Sequence, residues 1–338
     1  MISNTEIKKV LVTGGMGFIG SHFLLKCCQR FPSIEFINID NLSYAVSPRT
    51  QKELSEFHNY SFNETDICDL HALEQIFQNH EIDLVVHFAA ESHVDNSIEA
   101  PLKFINTNIL GTFNLLTCIR KVNDIRQDIY FHHISTDEVY GSLEKNDNSF
   151  TEVSNFAPSS PYSASKASSD LLVEAWGKTY GIKYLITNCS NNFGPRQFYE
   201  KLIPKVILNR LNNQKIPVYG LGLNIRDWLF VDDHIDAILS LYSNGLFLNE
   251  RFNIGGGYEV SNIDIVESIL DLLDVNHGYS ESHAFIEFVD DRKGHDFRYS
   301  INNSKLKNAT GWSPQASFNE HLNETINWYV HNRDWWEK

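Results

Sequence analysis

A phenol with an ammonium four residues on is a way to build a base. In this 338-residue chain Tyr162 and Lys166 stand at that spacing where a helix-like stretch begins, which stacks both side chains on one face. A cation beside the phenol favours the phenolate and lowers its pKa toward working pH. Upstream, Thr136-Asp137-Glu138 closes an apolar run and sets one hydroxyl beside two adjacent carboxylates. Two such carboxylates repel, so one keeps its proton as an acid while the other serves as a base. Taken alone, the same residues also read as a helix surface pair after an acidic turn, because YxxxK is a short pattern.

The surrounding elements decide between these readings. Lys8 to Thr13 reads as an apolar strand, and Gly14-Gly15-Met16-Gly17-Phe18-Ile19-Gly20-Ser21 follows at once. Gly14, Gly17 and Gly20 allow a tight turn and close approach of a pyrophosphate to the next helix's N-terminus. A second strand, Ile34 to Ile39, ends at Asp40, about 20 residues past the glycines, where a carboxylate accepts from adenosine ribose hydroxyls. Asn41-Leu42-Ser43 follows with no Arg, so NAD is expected over NADP.

The alternation continues. Tyr60 to Thr65 is a strand leading to Asp66-Ile67, within reach of an adenine, and Asp69 to Asn79 has helical periodicity. Asp83 to Phe88 has the profile of a strand buried on both faces. The small Ala89-Ala90 after it lets a dinucleotide lie against the strand end. Pro101 opens a helix with Phe104, Ile105, Ile109, Phe113 and Leu116 on one apolar face. Ile129 to Ser135 then delivers Thr136-Asp137-Glu138 to the carboxyl edge of the sheet, where open α/β sheets bind ligands. The helix from Tyr162 runs to about Lys178, with Gly181 as its stop. Its Leu171, Leu172, Ala175 and Trp176, with the Phe104 to Leu116 face, form either a helix-pair dimer surface or packing onto the parent sheet.

Composition narrows the class. A formal charge of -15 argues against nucleic acid or an anionic membrane as partner. No apolar run approaches the roughly 20 residues of a membrane span. Five Cys without a CxxC pair fit a reducing cytoplasm, with Cys118 and Cys189 as buried thiols. Met1 to Glu6 has no leader pattern. No His, Asp or Glu cluster has metal-site spacing, and no metal is expected. His93 reads as positional, and His132 and His133 as core and edge neighbours.

With these motifs the chain resembles the extended short-chain dehydrogenase/reductase family, and within it the nucleotide-diphosphoglucose 4,6-dehydratases. The narrower resemblance rests on Ala89-Ala90-Glu91-Ser92-His93-Val94-Asp95, on Ser135 to Gly141, and on Ser160 to Lys166. It continues through Asn188 to Pro195, Glu200 to Pro204, Arg226-Asp227-Trp228-Leu229, Asn253 to Gly256 and Asp291 to Asp296. Met16 stands for a usual Ala, where it is expected to crowd the pyrophosphate turn. Tyr199 and Lys293 each stand for a usual Pro.

The resemblance implies a Rossmann-type doubly wound parallel sheet with a smaller, interleaved α/β substrate-binding domain. Residues 1–190, with a return segment near 228–255, would bind NAD, and residues 191–338 would mainly bind the sugar nucleotide. It implies dehydration of dTDP-glucose, a cytoplasmic step of deoxysugar supply such as the dTDP-rhamnose pathway, in a homodimer. UDP-glucose dehydration, 4-epimerisation and an NAD-binding regulator are the competing readings. Tyr162 would take the 4-OH proton with Lys166 behind it, Thr136 would bind O4, Glu138 would remove the C5 proton, and Asp137 would protonate the leaving C6 hydroxyl. NAD contacts would come from Phe18-Ile19, Asp40 to Ser43, Asp66-Ile67, Phe88 to Ala90, Thr107 and Asn192. Ser92 and Asn191 would face the sugar. Arg226 and Arg292 would bind the diphosphate, with Lys201, Leu202, Pro217, Tyr219, Asn262, Asp291, His295 and Tyr299 completing the nucleotide pocket.

Overall fold

A computed structural model describes residues 7–125, 128–245 and 249–335. The expectation on Met1 to Glu6 lies outside them. The strands are β1 (Lys9–Thr13), β2 (Glu35–Asp40), β3 (Tyr60–Glu64), β4 (Leu84–His87), β5 (Tyr130–Thr136), β6 (Tyr184–Cys189), β7 (Asn191–Phe193), β8 (Ile216–Tyr219), β9 (Ile225–Phe230), β10 (Glu250–Ile254), β11 (Glu259–Ser261) and β12 (Ile286–Val289).

Seven of them form a parallel sheet in the order β10-β6-β5-β4-β1-β2-β3. Side chains alternate across a strand. Val10 and Val12 of β1 therefore enter one apolar cluster, under helices Phe18–Arg30 and Val231–Ser243. Leu11 enters the other with Ile37, Ile39 and Val85, under helices Leu70–Asn79, Thr112–Asn123 and Pro161–Tyr180. Strands covered on both faces are mostly apolar, which is why β1 and β4 read as nearly unbroken runs. The order reverses between β1 and β4, and that switch point opens a crevice at the carboxyl edge.

The chain leaves this sheet after β6. β7 pairs with β9, β9 with β11, and β8 with β12. Helices Leu202–Leu211, Asn262–His277 and Phe318–His331 pack over these strands around a third core containing Phe193, Val206, Ile269 and Tyr329. Helix Val231–Ser243 and β10 return to the first lobe, β10 pairing beside β6. No helix among the described residues is long and apolar enough to cross a membrane.

One element differs from expectation. Pro101 does open a helix, but Ile105–Gly111 is wound as a π-helix. The wider turn rotates the following residues, and the expected single apolar face splits. Phe104 and Leu116 are buried, while Ile105 and Phe113 face outward. Asn108 turns inward instead.

Candidate active site

The glycine turn shows why the first helix must begin as it does. Gly14 has φ +70°, and a Cβ there would lie 2.5 Å from the Ala89 backbone. A Cβ on Gly20 would lie 2.4 Å from the Gly14 carbonyl oxygen. Only glycine lets the turn press against the end of β4. Asp40 has a role beyond facing a ribose: its carboxylate accepts the Met16 N–H at 3.0 Å and the Leu42 N–H at 2.9 Å. Burial raises its pKa, and these two N–H groups act against that. Met16 does not crowd the turn. Its side chain is buried in the core, its sulfur 3.7 Å from the Tyr60 hydroxyl.

Beside the turn lies a crevice of about 310 Å³. Gly14, Gly17, Phe18, Ile19 and Gly20 form one wall, and Asp40, Asn41, Ser43 and Ile67 the next. Phe88, Ala89, Ala90, Thr107 and Asn192 line the rest, up to Thr136, Tyr162 and Lys166. This cradle of glycines and alanines, with a carboxylate at one end, fits a dinucleotide. Two expected contacts do not line it. Leu42, at φ 52°, packs its side chain against the core. Asp66 accepts from the Asn41 side chain and the Cys68 N–H, so it holds Asn41 in place.

Thr136 ends β5 and caps the short turn Asp137–Tyr140, accepting the Glu138 N–H at 3.3 Å. Its hydroxyl donates to Asp137 at 3.3 Å. Asp137 is buried and lines neither this crevice nor the neighbouring cavity, and its second carboxylate oxygen has no hydrogen-bond partner among the described residues. Burial, then Glu138 and Asp227, push its pKa well up. Burial also raises Glu138, against the pull of Arg226 and Lys201. Both carboxyls are thus pushed up by burial, Asp137 well above its ordinary value.

The expected effect of Lys166 on Tyr162 is corrected here. Ser160 and Ser163 form a capping box that starts the helix, and Tyr162 and Lys166 on its first turns line the crevice. Yet burial, Glu138 and Cys189 raise the Tyr162 pKa well above its ordinary value. The Lys166 ammonium donates to the Ile134 carbonyl at 2.9 Å, and burial brings its own pKa down to about 8. Within the chain, burial and the acidic neighbours set the direction for Tyr162.

A second cavity of about 730 Å³ opens on the other side of Glu138. Lys201, Leu202, Pro217, Tyr219 and Arg226 line it, as do Asn262, Arg292, His295 and Tyr299. Arg226 lies over the Tyr299 ring at 4.3 Å and donates to the Asp296 and Phe297 carbonyls. Asp291 is the exception: it stands outside the lining and accepts from His295 at 2.6 Å. Ser92, Glu138, Asn191, Asn192 and Lys201 line both cavities, so ligands in the two would meet there. The arrangement can pass a hydride and protons between a dinucleotide and an elongated polar ligand. Among the described residues no group of three or more His, Cys, Asp or Glu is placed to hold a metal.

Three contributors escaped the sequence reading. Asn108, turned inward by the π-helix, binds both the N–H and the carbonyl of Glu91 and the Ser165 hydroxyl. Gln197 and Glu200 line the junction of the cavities. Only the π-helix could have marked the first, and no local pattern encodes it. His132 and His133 are both fully buried, and His93 caps helix Val94–Glu99 while lining the second cavity.

The family model described as GDP-mannose 4,6 dehydratase matches residues 11–325. A dTDP-glucose 4,6-dehydratase of Neisseria meningitidis serogroup B is 46% identical, over 98% of this chain and 96% of its own. The crystal structure of a Bacillus anthracis dTDP-glucose 4,6-dehydratase in complex with NAD has a TM-score of 0.87 at 42% identity, covering 98% of this chain and 99% of that one. A Streptomyces venezuelae dTDP-glucose 4,6-dehydratase with NAD and TYD bound gives 0.89 at 41% identity, covering 97% and 99%.

Proposed function

Because the chain belongs to the dTDP-glucose 4,6-dehydratase family, we propose that it is an NAD-dependent lyase that converts dTDP-glucose to dTDP-4-keto-6-deoxyglucose. The observation that carries this is the position of Glu138. It lines both cavities, next in the chain to the buried Asp137 and in one crevice with Tyr162 and Lys166.

The chemistry requires each of these groups. The C5 proton of a hexose is not acidic until C4 is a ketone. Bound NAD supplies the hydride exchange, taking one from C4 and returning one to C6. Tyr162 accepts the 4-OH proton, and Thr136 donates to O4 as charge develops there. Lys166 supplies the positive charge behind the phenol. Glu138, with Arg226 and Lys201 acting against its burial, removes the C5 proton and returns a proton to C5 when the hydride reaches C6. Asp137 donates its proton to the departing C6 hydroxyl. Arg226 and Arg292 hold the diphosphate as planar forks, and Asp40, with no Arg after it, selects NAD over its 2′-phosphate form. Incubation with dTDP-glucose and NAD, with the 4-keto-6-deoxy product followed by NMR, tests the reading. A panel including UDP-glucose separates the base preference, and a 4-epimer as product would replace dehydration.

The same reading extends to organisation. Residues 1–190 with the 228–255 return bind NAD, and 191–338 mainly bind the sugar nucleotide. The protein works in the cytoplasm, in deoxysugar supply, as a homodimer. Support for the dimer comes from the outward row of Leu102, Ile105, Leu110, Phe113 and Leu171, an apolar surface of the kind partners cover. Leu102→Glu with Leu171→Glu yielding monomers in light scattering is the expected result.

A further inference from the structure

Tyr162, Lys166, Asp170 and Glu174 recur every fourth residue along helix Pro161–Tyr180 and so share one face. Behind the phenol this face enters the protein interior. His133 Nε2 lies 3.4 Å from Lys166 Nζ and 3.3 Å from Asp170 Oδ1. The other Asp170 oxygen accepts from Arg251 at 2.6 Å and from the Asn188 side chain at 3.1 Å. Asn188 also donates to the Thr136 carbonyl at 2.9 Å, and its oxygen accepts from the same Arg251 nitrogen at 2.6 Å. Arg251 ends on Glu174 at 2.8 Å. Asp170 and His133 are fully buried, and Arg251 comes from β10, the strand that returns from the second lobe.

A carboxylate in such a place is costly unless paired, and this one is joined to both halves of the site. We propose that Asp170 is a positioning residue for the proposed reaction, keeping the Lys166 ammonium charged and the Thr136 backbone in place, with Arg251 keeping Asp170 ionised. This rests on the reading of Tyr162 and Lys166 as the oxidising pair. The groups facing Lys166 are His87 from β4, His133 from β5, Cys189 from β6, and Tyr162 and Asp170 from its own helix. Burial keeps both histidines neutral and pushes the Cys189 thiol up to about 12. Asp170 is held well below the usual carboxylate range by Arg251 and His133, so it is the negative charge of the set. It acts against the desolvation that lowers Lys166.

The test uses full-length Asp170→Asn and the double variant Asp170→Asn/Arg251→Met, which removes both charges and leaves no unpaired cation. Circular dichroism reports folding. The pH dependence of Lys166 acetylation by trace acetic anhydride, read by peptide mass spectrometry, reports its titration without any substrate. The expected result is a midpoint lowered by about one pH unit or more in both variants. The basic limb of kcat should move with it, with about tenfold lower kcat at pH 8 and KM within about threefold. A folded variant with an unchanged Lys166 midpoint overturns the proposal. If the wild type fails to convert dTDP-glucose, the functional reading falls, and the acetylation measurement still decides the role of Asp170.

Discussion

Arg292, on the loop after β12, lies 3.0 Å from Asp95 on helix Val94–Glu99, so an ion pair spans the mouth of the nucleotide cavity and joins the two lobes. The Tyr219 hydroxyl donates to the same carboxylate at 3.4 Å, and the Arg292 guanidinium lies 5.0 Å from the Tyr219 ring centre. A diphosphate would compete with Asp95 for this guanidinium.

That competition predicts opposite effects for the two partners. Arg292→Met should raise KM for dTDP-glucose about tenfold, because a bidentate phosphate contact is lost. Asp95→Asn should lower KM by about two- to fivefold at low salt, with the difference shrinking in 0.3 M NaCl as charges are screened. Both partners are half-buried, so neither change should cost more than about 1 kcal/mol of stability. Steady-state kinetics at two salt concentrations, with thermal melts, check all three.

Glu138→Gln removes the proposed base but keeps the shape. The loss of kcat should reach about 10²- to 10⁴-fold, with sugar-nucleotide affinity nearly unchanged. Solvent deuterium should no longer enter C5, which NMR of recovered substrate and product would reveal.

Asp137→Asn separates activity from stability. Burial and its acidic neighbours raise the folded-state pKa of Asp137, so between the unfolded and folded values the folded protein holds the extra proton. Stability then falls as pH rises through that window. The variant does not ionise, so it should melt at least about 2 °C higher at neutral pH. Elimination should be lost, and the wild-type margin should narrow at acid pH. Equal melting temperatures at neutral pH would contradict the raised pKa of Asp137.

Gly14→Ala puts a Cβ 2.5 Å from the Ala89 backbone at a left-handed φ. The turn must shift, at a cost of about 1–3 kcal/mol, and NAD affinity measured by calorimetry should fall at least about tenfold.

Much of the site was legible because it is local. The glycine turn, Asp40 at the end of the next strand, and the Tyr162/Lys166 pair each lie within one or two adjacent elements. Period and spacing place such residues before any packing is known. Leu42 and Asp66 escaped because a left-handed residue and a side-chain bond to Asn41 turned them from the crevice. The face of the helix after Pro101 was misread because a π-helix leaves the apolar pattern intact while rotating what it points at.

The sequence alone thus determined the doubly wound sheet, the dinucleotide turn and the acidic pair at a strand's carboxyl end, since backbone sterics and side-chain periodicity act over a few residues. The tertiary structure decided how deeply the two carboxylates and Tyr162 are buried, and so the direction in which each pKa moves. It also decided that Asp170 meets Arg251, 81 residues away in the chain. Those outcomes depend on desolvation and on charges brought together from distant segments, quantities that exist only once the chain has closed around them.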